Sequence, residues 1–486
     1  MSDQLEPTIF EKSSKGKEGY SFQAEEDKLP ETDSIIDDSY LRDEIENFPE
    51  LSEVEIARHY TRISKFNHGV DDGLYPLGSC TMKYNPKINE DLAQLEGFTS
   101  THPLHPADMS QGNLEIMYEL GEALKTITGM DGVSLQPAAG AHGELTGMLM
   151  IRKYFENQDK PRKTVLIPDT AHGTNPASAH FAGYKVEEIE SNEDGIIEPG
   201  TLKDYLNEDV AALMVTNPNT LGIFEQNIKE ITNLLHENGS LIYCDGANLN
   251  ALMGKYRPGD SNIDVMHLNL HKTFSTPHGG GGPGSGPIVV DEKLIPYLPI
   301  PTVEKDDNEF YFDYDHSNSI GKMRAFYGNF GVMVKALAYI LTTGAEGLKK
   351  VAEHAVLNSN YIRNQLEEDY DIPYDSPTMH EVIFSNKSLK DNNVKTMQAA
   401  KRLMDFGFHP PTVYFPLVVD GAMMIEPTET ESLRELDYFI EAMKKIIEEA
   451  EHNPEKLKSA PHTTPIGRLD TVHAARNPIL TWKPDK

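Results

Sequence analysis

The chain has 486 residues, too many for one compact core, so we expect two or three domains. Its 77 acidic residues against 44 Lys and Arg give a formal charge of −33, which argues against nucleic acid and anionic membrane surfaces as partners. Two cysteines exclude a disulfide framework, and no apolar stretch approaches the roughly 18 residues of a membrane span. We therefore expect a protein of the reducing cytoplasm.

The first 50 residues are acidic, punctuated by prolines and without periodicity, which predicts an extended arm. They begin without the basic and apolar regions of a signal peptide, so we expect none. Ser52 starts a capping-box pattern, and a helix should follow it through Ile63. Residues 71–79 are a predicted loop, and Gly112 begins a second helix whose apolar residues lie three and four apart.

A turn rich in glycine and alanine runs from Leu135 to Gly147 and leads into an apolar segment. Its backbone amides, at the N-terminus of a helix, would suit a phosphate group. The turn matches neither the GxGxxG nor the GxxxxGK[ST] pattern, which disfavours nucleotide binding.

Two side chains that could take part in catalysis or cofactor binding follow apolar runs. His172 stands in a turn of small residues after the run 165–167, where its flat ring could stack on a cofactor or could be a simple loop histidine. Asp245 ends the run 241–244. A carboxylate there could hold a proton on a cofactor ring nitrogen, or it could merely cap the following turn.

Lys272 follows the apolar run 265–270 and precedes the glycine-rich stretch 279–286. An amine just past a strand end is suited to a Schiff base with an aldehyde cofactor such as pyridoxal 5′-phosphate (PLP). Taken alone, a lysine beside glycines is more often a solvated charge entering a flexible loop. The glycine-rich stretch is expected to let the backbone approach a cofactor closely.

Apolar runs alternate with helical patterns between residues 130 and 295, which predicts a mainly parallel sheet covered by helices. The predicted strands are residues 165–167, 211–215, 241–244, 265–270 and 287–290. Residues 227–239 have the pattern of a crossover helix with a glycine stop. A second domain should begin within residues 339–347 and close with a helix over 432–449.

The order of phosphate turn, histidine, aspartate and lysine along one α/β segment is that of fold-type I PLP enzymes. Longer strings resemble one family, the glycine cleavage system P-protein, in its split bacterial form, and they extend from about residue 50 to the C-terminus. These strings are YPLGSCTMKYNP (75–86), AHGTNPAS (171–178), DGAN (245–248), NLHKTF (269–274), MIEPTE (424–429) and APHTTP (460–465). The lysine makes the chain similar to the half of the split protein that carries PLP.

The resemblance implies an α/β fold of fold-type I, with a mainly parallel central sheet covered by helices and a smaller C-terminal α+β domain. The expected divisions are an N-terminal arm and active-site loop over residues 1–95, a large PLP-binding domain over 96–340, a small C-terminal domain over 341–452 and a C-terminal strap over 453–486.

The resemblance also implies an activity, the PLP-dependent decarboxylation of glycine with transfer of the aminomethyl group to the lipoyl arm of H-protein. It implies a second P-protein subunit of the same fold without the lysine, in a heterotetramer with two copies of each, and a cytoplasmic location. Lys272, Asp245 and His172 are then the expected catalytic residues.

Further contacts are expected around these three residues. The expected cofactor contacts besides Lys272, Asp245 and His172 are Ala139, Gly140, Ala141, Thr216, Ala247 and His271. His142 and Thr273 compete with His271 as phosphate ligands, and we favour His271. The loop residues expected to wall the glycine pocket are Tyr75, Ser79, Cys80 and Thr81. Cys80 should be the accessible cysteine and Cys244 a core residue.

Other functions stay open at this point. One alternative is a different fold-type I enzyme, such as an amino-acid decarboxylase or a cysteine desulfurase, which the strings at 75–86 and 460–465 disfavour. Another is a non-catalytic assembly subunit of the same complex, which the intact Lys272 and Asp245 disfavour. His267 and His271 lie four apart on a strand, which does not give the paired helical ligands of HExxH, so no metal is expected. The sequence has no GxSxG nucleophile elbow, which disfavours a serine hydrolase.

Overall fold

The structure, a computed structural model, describes residues 5–20, 35–42, 45–279 and 284–482. The chain divides into two compact units, residues 1–69 with 459–486 and residues 70–458. In chain order the α-helices are α1 (Ile9–Lys12), α2 (Glu53–Ser64), α3 (Lys87–Ala93), α4 (Glu96–Thr99), α5 (Gln111–Thr128), α6 (Gly140–Glu156), α7 (Thr174–Phe181), α8 (Pro199–Tyr205), α9 (Ile228–Glu237), α10 (Phe330–Leu366), α11 (Lys387–Lys390), α12 (Thr396–Asp405), α13 (Leu433–His452), α14 (Pro454–Lys458) and α15 (Thr471–Arg476). The strands are β1 (Gly132–Ser134), β2 (Thr164–Pro168), β3 (Lys185–Ile189), β4 (Val210–Thr216), β5 (Leu241–Gly246), β6 (Val265–Leu268), β7 (Ile288–Val290), β8 (Thr302–Asp306), β9 (Glu309–Asp313), β10 (Val382–Phe384), β11 (Thr412–Val413) and β12 (Met423–Ile425).

The first unit contains α1, α2 and α15. The predicted capping box starts α2, because the backbone N–H and the Oγ of Ser52 contact the Glu55 carboxylate at 3.0 and 2.9 Å. The rings of Phe10 and Trp482 stack with 4.7 Å between their centroids, so the two ends of the chain pack together. The predicted arm also includes residues 1–4, 21–34 and 43–44, which lie outside the described residues.

The described part of the second unit is built on a seven-stranded sheet in the order β1-β7-β6-β5-β4-β2-β3. The strands from β6 to β3 are parallel, and β7 runs antiparallel to both β6 and β1. The mainly parallel sheet is thus confirmed, and the predicted strands correspond to β2, β4, β5, β6 and β7. The predicted crossover helix is α9, and Gly239 behind it has a φ of +72°.

Sequence periodicity does not predict β1 or β3. β1 has only three residues. β3 is an edge strand, and Lys185, Glu187 and Glu188 on it are exposed. The continuous apolar run that marks a buried parallel strand is therefore absent there. By contrast every residue of β5 is buried, as the apolar run at 241–244 requires, and Cys244 is a core residue.

The C-terminal part of the second unit has its own antiparallel sheet in the order β10-β12-β11. The long helix α10 is interrupted at Gly344, whose φ is +64°. Helices α12 and α13 cover the small sheet, and Phe384, Met423 and Phe439 lie in the shared core. No helix within the described ranges is long and apolar enough to cross a membrane.

A buried ion pair joins α12 to α13, and we expect its loss to destabilise the small sheet region. Nε and Nη2 of Arg402 donate to the Glu449 carboxylate at 2.8 and 2.9 Å, and Nη1 donates to Asp405 at 2.9 Å. Arg402→Met removes the guanidinium from both carboxylates, although Glu449 keeps its contact with Nζ of Lys456 at 2.6 Å, so the free energy of unfolding should fall by about 3 kcal/mol. Urea denaturation measures this change. The control Arg434→Met removes an exposed arginine of α13 and should change it by less than about 0.5 kcal/mol.

Candidate active site

A cavity of about 170 Å³ lies at the carboxyl ends of β4, β5 and β6. Open α/β sheets bind their ligands at this edge. The strand register brings Thr216, Asp245 and His267 side by side at the ends of the three strands. Lys272 follows in the turn after β6. The lining residues are Ser79, Gly140, Ala141, Glu144, His172, Thr174, Thr216, Pro218, Asn219, Thr220, Asp245, Ala247, Asn248, Asn269, Lys272, His380 and Glu381.

Asp245 is a buried carboxylate with one hydrogen-bond donor on each oxygen. Its Oδ2 accepts from the Asn175 side-chain amide at 3.0 Å, and its Oδ1 accepts from the backbone N–H of Ala247 at 3.0 Å. Burial opposes ionisation, but His267, these two donors and Lys272 together hold the pKa of Asp245 below its ordinary value. The structure therefore presents a negative charge at the base of the cavity.

His267 and Glu144 complete a network behind Asp245. Nε2 of His267 lies 3.4 Å from Oδ1 of Asp245, and its Nδ1 lies 2.7 Å from the Tyr243 hydroxyl. Glu144 accepts hydrogen bonds from the hydroxyls of Thr174 and Ser178 at 2.8 and 3.0 Å. Glu144 and Nδ1 of His267 thus contact neighbouring side chains, whereas Nε2 of His267 is buried without a hydrogen-bond partner among the described residues.

His172 lies in the turn between β2 and α7. Its Nδ1 lies 2.8 Å from the Thr174 hydroxyl and accepts the Thr174 backbone N–H at 3.2 Å, so the ring is oriented from one edge. Its ring also meets Phe415 edge to face at 5.4 Å. Burial lowers the pKa of His172, against the attraction of Asp245, and this favours a neutral ring in the cavity.

The N-terminus of α6 forms another part of the cavity wall, as the predicted phosphate turn requires. A Cβ at Gly140 would lie 2.6 Å from Oδ1 of Asn269, so glycine is needed for this close approach. A Cβ at Gly286 would lie 2.0 Å from the carbonyl oxygen of Ala139, which brings the end of the glycine-rich stretch against the same turn. Residues 280–283 of that stretch lie outside the described residues.

The predicted site residues fall into two groups. Those that line the cavity are Lys272, Asp245, His172, Gly140, Ala141, Thr216, Ala247 and Ser79. The lining does not include Ala139, His271, Tyr75, Cys80 or Thr81. Ala139 is the N-cap residue of α6, Tyr75 stacks on His409 at 4.0 Å, and Thr81 donates its hydroxyl to Glu426 at 2.9 Å. Cys80 is half-buried, and burial raises the pKa of its thiol.

His271 turns toward the glycine-rich stretch and the residue before it. Its Nδ1 accepts the backbone N–H of Ser285 at 3.4 Å, and its ring meets His278 edge to face at 5.3 Å. Burial, followed by the charge of Lys272, lowers the pKa of His271 to about 3. A neutral ring is a weaker phosphate ligand than a charged one, so a phosphate role for His271 stays a prediction.

Several residues of the site were not predicted. They are Glu144, Asn175, His267, His380, Glu381 and Glu426. Asn175 and Glu426 lie within the family strings, so these two had a signal in the sequence, whereas only the register between β5 and β6 pairs His267 with Asp245. His380 and Glu381 had none, because only the pairing of β10 with β12 brings them to the cavity.

The sequence is similar to two protein-family models. Residues 27–309 match the glycine cleavage system P-protein, and residues 351–463 match the C-terminal domain of glycine dehydrogenase. A probable glycine dehydrogenase (decarboxylating) subunit 2 of Caldanaerobacter subterraneus subsp. tengcongensis is 56% identical over 99% of this chain and 100% of its own length. The protein of the same description from Chloroherpeton thalassium is 54% identical over 99% of this chain and 98% of its own length.

Solved structures give the same fold at low sequence identity. An inhibitor-bound glycine decarboxylase (P-protein) of the glycine cleavage system superposes with a TM-score of 0.71 at 19% identity, over 85% of this chain and 94% of its own. A cysteine desulfurase from Thermococcus onnurineus superposes with a TM-score of 0.60 at 15% identity, over 78% and 95%. These likenesses confirm the predicted α/β class, fold-type I.

Proposed function

The chain belongs to the glycine cleavage system P-protein family, and from this premise we propose that it decarboxylates glycine and transfers the remaining aminomethyl group to the lipoyl arm of an H-protein. The observation that carries the proposal is the convergence of Lys272, Asp245 and His172 on one cavity at the carboxyl edge of the sheet. A cysteine desulfurase or a simple decarboxylase is not favoured, because the relatives that match over the full chain are described as glycine dehydrogenases.

PLP is the cofactor that we propose for this cavity, and the residues present fit it. Lys272 would hold its aldehyde carbon, Asp245 its ring nitrogen, and the N-terminus of α6 at Gly140 its phosphate. Oδ1 of Asn269 is buried without a hydrogen-bond partner among the described residues, so a polar group of a ligand would satisfy it. When bound, the cofactor supplies an electron sink for the pair released from the substrate as CO2 leaves.

The chain's own groups prepare that step. Asp245, kept ionised by Asn175 and Ala247, would hold a proton on the ring nitrogen. The neutral His172 ring, held by Thr174, would keep a planar group flat. Lys272 would hold the cofactor and lie close to the substrate amine.

Partners and location follow from the same proposal. The relatives are described as subunit 2, so we propose a complex with a subunit 1, two copies of each, together with a lipoylated H-protein. We propose a cytoplasmic location, in line with the two unpaired cysteines. The formal charge of −33 makes nucleic acid and membrane unsuitable partners.

The decisive experiment is reconstitution from purified PLP-loaded protein, subunit 1 and lipoylated H-protein with carboxyl-labelled glycine. We expect labelled CO2 and an aminomethyl group on H-protein, and neither product when this chain is omitted. Efficient CO2 release that does not depend on H-protein would instead indicate a simple decarboxylase. Release of sulfide from cysteine would indicate a desulfurase.

We expect His172→Phe to retain more activity than His172→Ala, because stacking needs a flat ring more than a titrating proton, and burial lowers the pKa of His172. Loss of an aromatic stack should cost about 1 kcal/mol in the alanine variant, roughly a fivefold slower single turnover. Single-turnover CO2 release and its pH dependence for the three proteins provide the measurement. Phe performing no better than Ala, with a wild-type titration absent from both variants, would assign acid–base chemistry to His172 instead.

A further inference from the structure

Two acidic residues face each other where the small sheet meets the cavity. Val382 of β10 pairs with Ile425 of β12, so the next residues along the two antiparallel strands are Glu381 and Glu426. Like charges directly opposite each other on neighbouring strands repel. Both side chains are buried, and their carboxylate oxygens lie within 4.8 Å of one another. Two carboxylates this close in a buried site do not both ionise readily.

The hydrogen bonds decide which of the two holds the proton. Glu426 accepts from the backbone N–H of Thr81 at 3.2 Å, the Thr81 hydroxyl at 2.9 Å, and the amides of Asn248 and Asn250 at 2.9 and 3.2 Å. Glu381 accepts from the backbone N–H of Ser79 at 2.5 Å and from no other donor in the described ranges. Glu426 thus accepts from four donors and Glu381 from one, so a shared proton is better placed on Glu381.

The same pair anchors the active-site loop. Ser79 and Thr81 both have positive φ, +62° and +49°, which is costly for residues other than glycine and persists only when the surroundings hold it. Their backbone N–H groups are the ones that donate to Glu381 and Glu426. Ser79 lines the cavity together with Lys272. The strained part of the loop is thus tied to the carboxyl pair at both of its strained residues.

We propose that Glu381 and Glu426 share one proton and that this carboxyl pair positions the loop carrying Ser79 at the cavity, so that glycine binding depends on the shared proton. Glu381 and Glu426 are positioning residues here, because they act through Ser79 and Thr81. A protonated Glu381 can accept from Ser79 and donate to Glu426 at once, whereas an ionised Glu381 still accepts from Ser79 but has no proton to donate to Glu426 and repels its carboxylate. The inference rests on glycine being the substrate, as proposed above.

The titratable groups around Glu381 favour the protonated form. They are Glu426 after β12, His380 beside it, Lys272 after β6 and Cys80 in the loop. Burial and then the negative charge of Glu426 raise the pKa of Glu381 well above its ordinary value, against the smaller opposing effects of Ser79 and Lys272. Burial lowers the pKa of His380 and raises that of Cys80, so both favour their neutral forms. The pair then loses its proton as the pH rises through the raised pKa of Glu381.

The test compares Glu381→Gln and Glu381→Ala in the PLP-loaded protein assembled with its subunit 1. Gln keeps an oxygen for Ser79 and a donor for Glu426, and it cannot ionise. We expect wild-type glycine affinity, followed by the absorption change of the cofactor, to fall as the pH rises. The Gln variant should keep that affinity across the same range, and the Ala variant should bind about tenfold more weakly at every pH.

A second readout does not involve the cofactor. Amide hydrogen exchange at residues 77–83 of the PLP-free protein should quicken in the Ala variant and stay near wild type in the Gln variant at low pH. Glu431→Gln is the matched control, because burial raises the pKa of Glu431 to about 7 and its side chain is not among the residues lining the cavity. This control should leave both the pH profile and the exchange unchanged.

The outcomes separate this inference from the proposed function. Equal loss of affinity in the Gln and Ala variants, or unchanged loop exchange in the Ala variant, would overturn the role of the shared proton. A wild-type protein that shows no response to glycine would contradict the proposed function, and the exchange measurement would still decide whether the carboxyl pair positions the loop.

Discussion

We expect Lys272→Ala to abolish glycine decarboxylation while the protein remains folded. Lys272 is the amine at the carboxyl edge of the sheet, in one cavity with Asp245 and His172. Without it the proposed Schiff base cannot form, and CO2 release should fall on the order of a thousandfold or more, equivalent to a barrier about 4 kcal/mol higher. The fold should survive because the turn is held by the backbone, with the N–H of Lys272 donating to Asn269 at 3.1 Å and Ser275 donating to the carbonyl of Lys272 at 3.1 Å.

Two measurements check this expectation. The first is single-turnover CO2 release in the reconstituted system, and the second is borohydride reduction of the PLP-loaded protein followed by peptide mapping of the fixed label. The label should appear on Lys272 in the wild type and be lost in the variant. Lys255→Ala is the control, since that lysine pairs with Glu353 on the exposed surface. A folded Lys272→Ala protein that transfers the aminomethyl group at a normal rate would remove Lys272 from the active site.

We expect Asp245→Asn to bind PLP and to decarboxylate glycine slowly. The carboxylate of Asp245 is buried, and its pKa is held below the ordinary value by His267, Asn175, Ala247 and Lys272 despite the opposing effect of burial. A neutral amide cannot keep the ring nitrogen protonated, so the electron sink is weakened. The barrier should rise by about 2–4 kcal/mol, comparable to the removal of another preorganised electrostatic group.

The Asn amide has nearly the same size and shape as the Asp245 carboxylate, so the variant changes the charge and leaves the packing in place. Its oxygen can still accept from the backbone N–H of Ala247, and its nitrogen can pair with Asn175 after that amide turns over. Cofactor content by absorption and single-turnover CO2 release measure binding and chemistry separately. Asp260→Asn, at an exposed pair with Arg257, is the control and should match the wild type. An unchanged single-turnover rate for Asp245→Asn would contradict the proposed role of this carboxylate.

The main chemical groups of the site could be read from the sequence because each follows a buried strand or enters a helix. The apolar runs 241–244 and 265–270 specify β5 and β6, since continuous burial on both faces requires them. Parallel strands bring their carboxyl ends to one edge, so Asp245 and the turn with Lys272 had to lie near each other. The family resemblance extended this from about residue 50 to the C-terminus, and the comparisons bear out the family and the fold class.

What surrounds those groups was decided by the tertiary structure. The pairing of His267 with Asp245 depends on the register between β5 and β6, and the pairing of Glu381 with Glu426 depends on that between β10 and β12. Register is a long-range property, set by how the sheets pack and not by local composition. His271, adjacent to Lys272 in sequence, instead turns toward Ser285, because neighbouring residues in a turn point in different directions. A single sequence specifies which elements form and where their ends lie, while the contacts between side chains far apart in the chain are determined only when the sheets assemble.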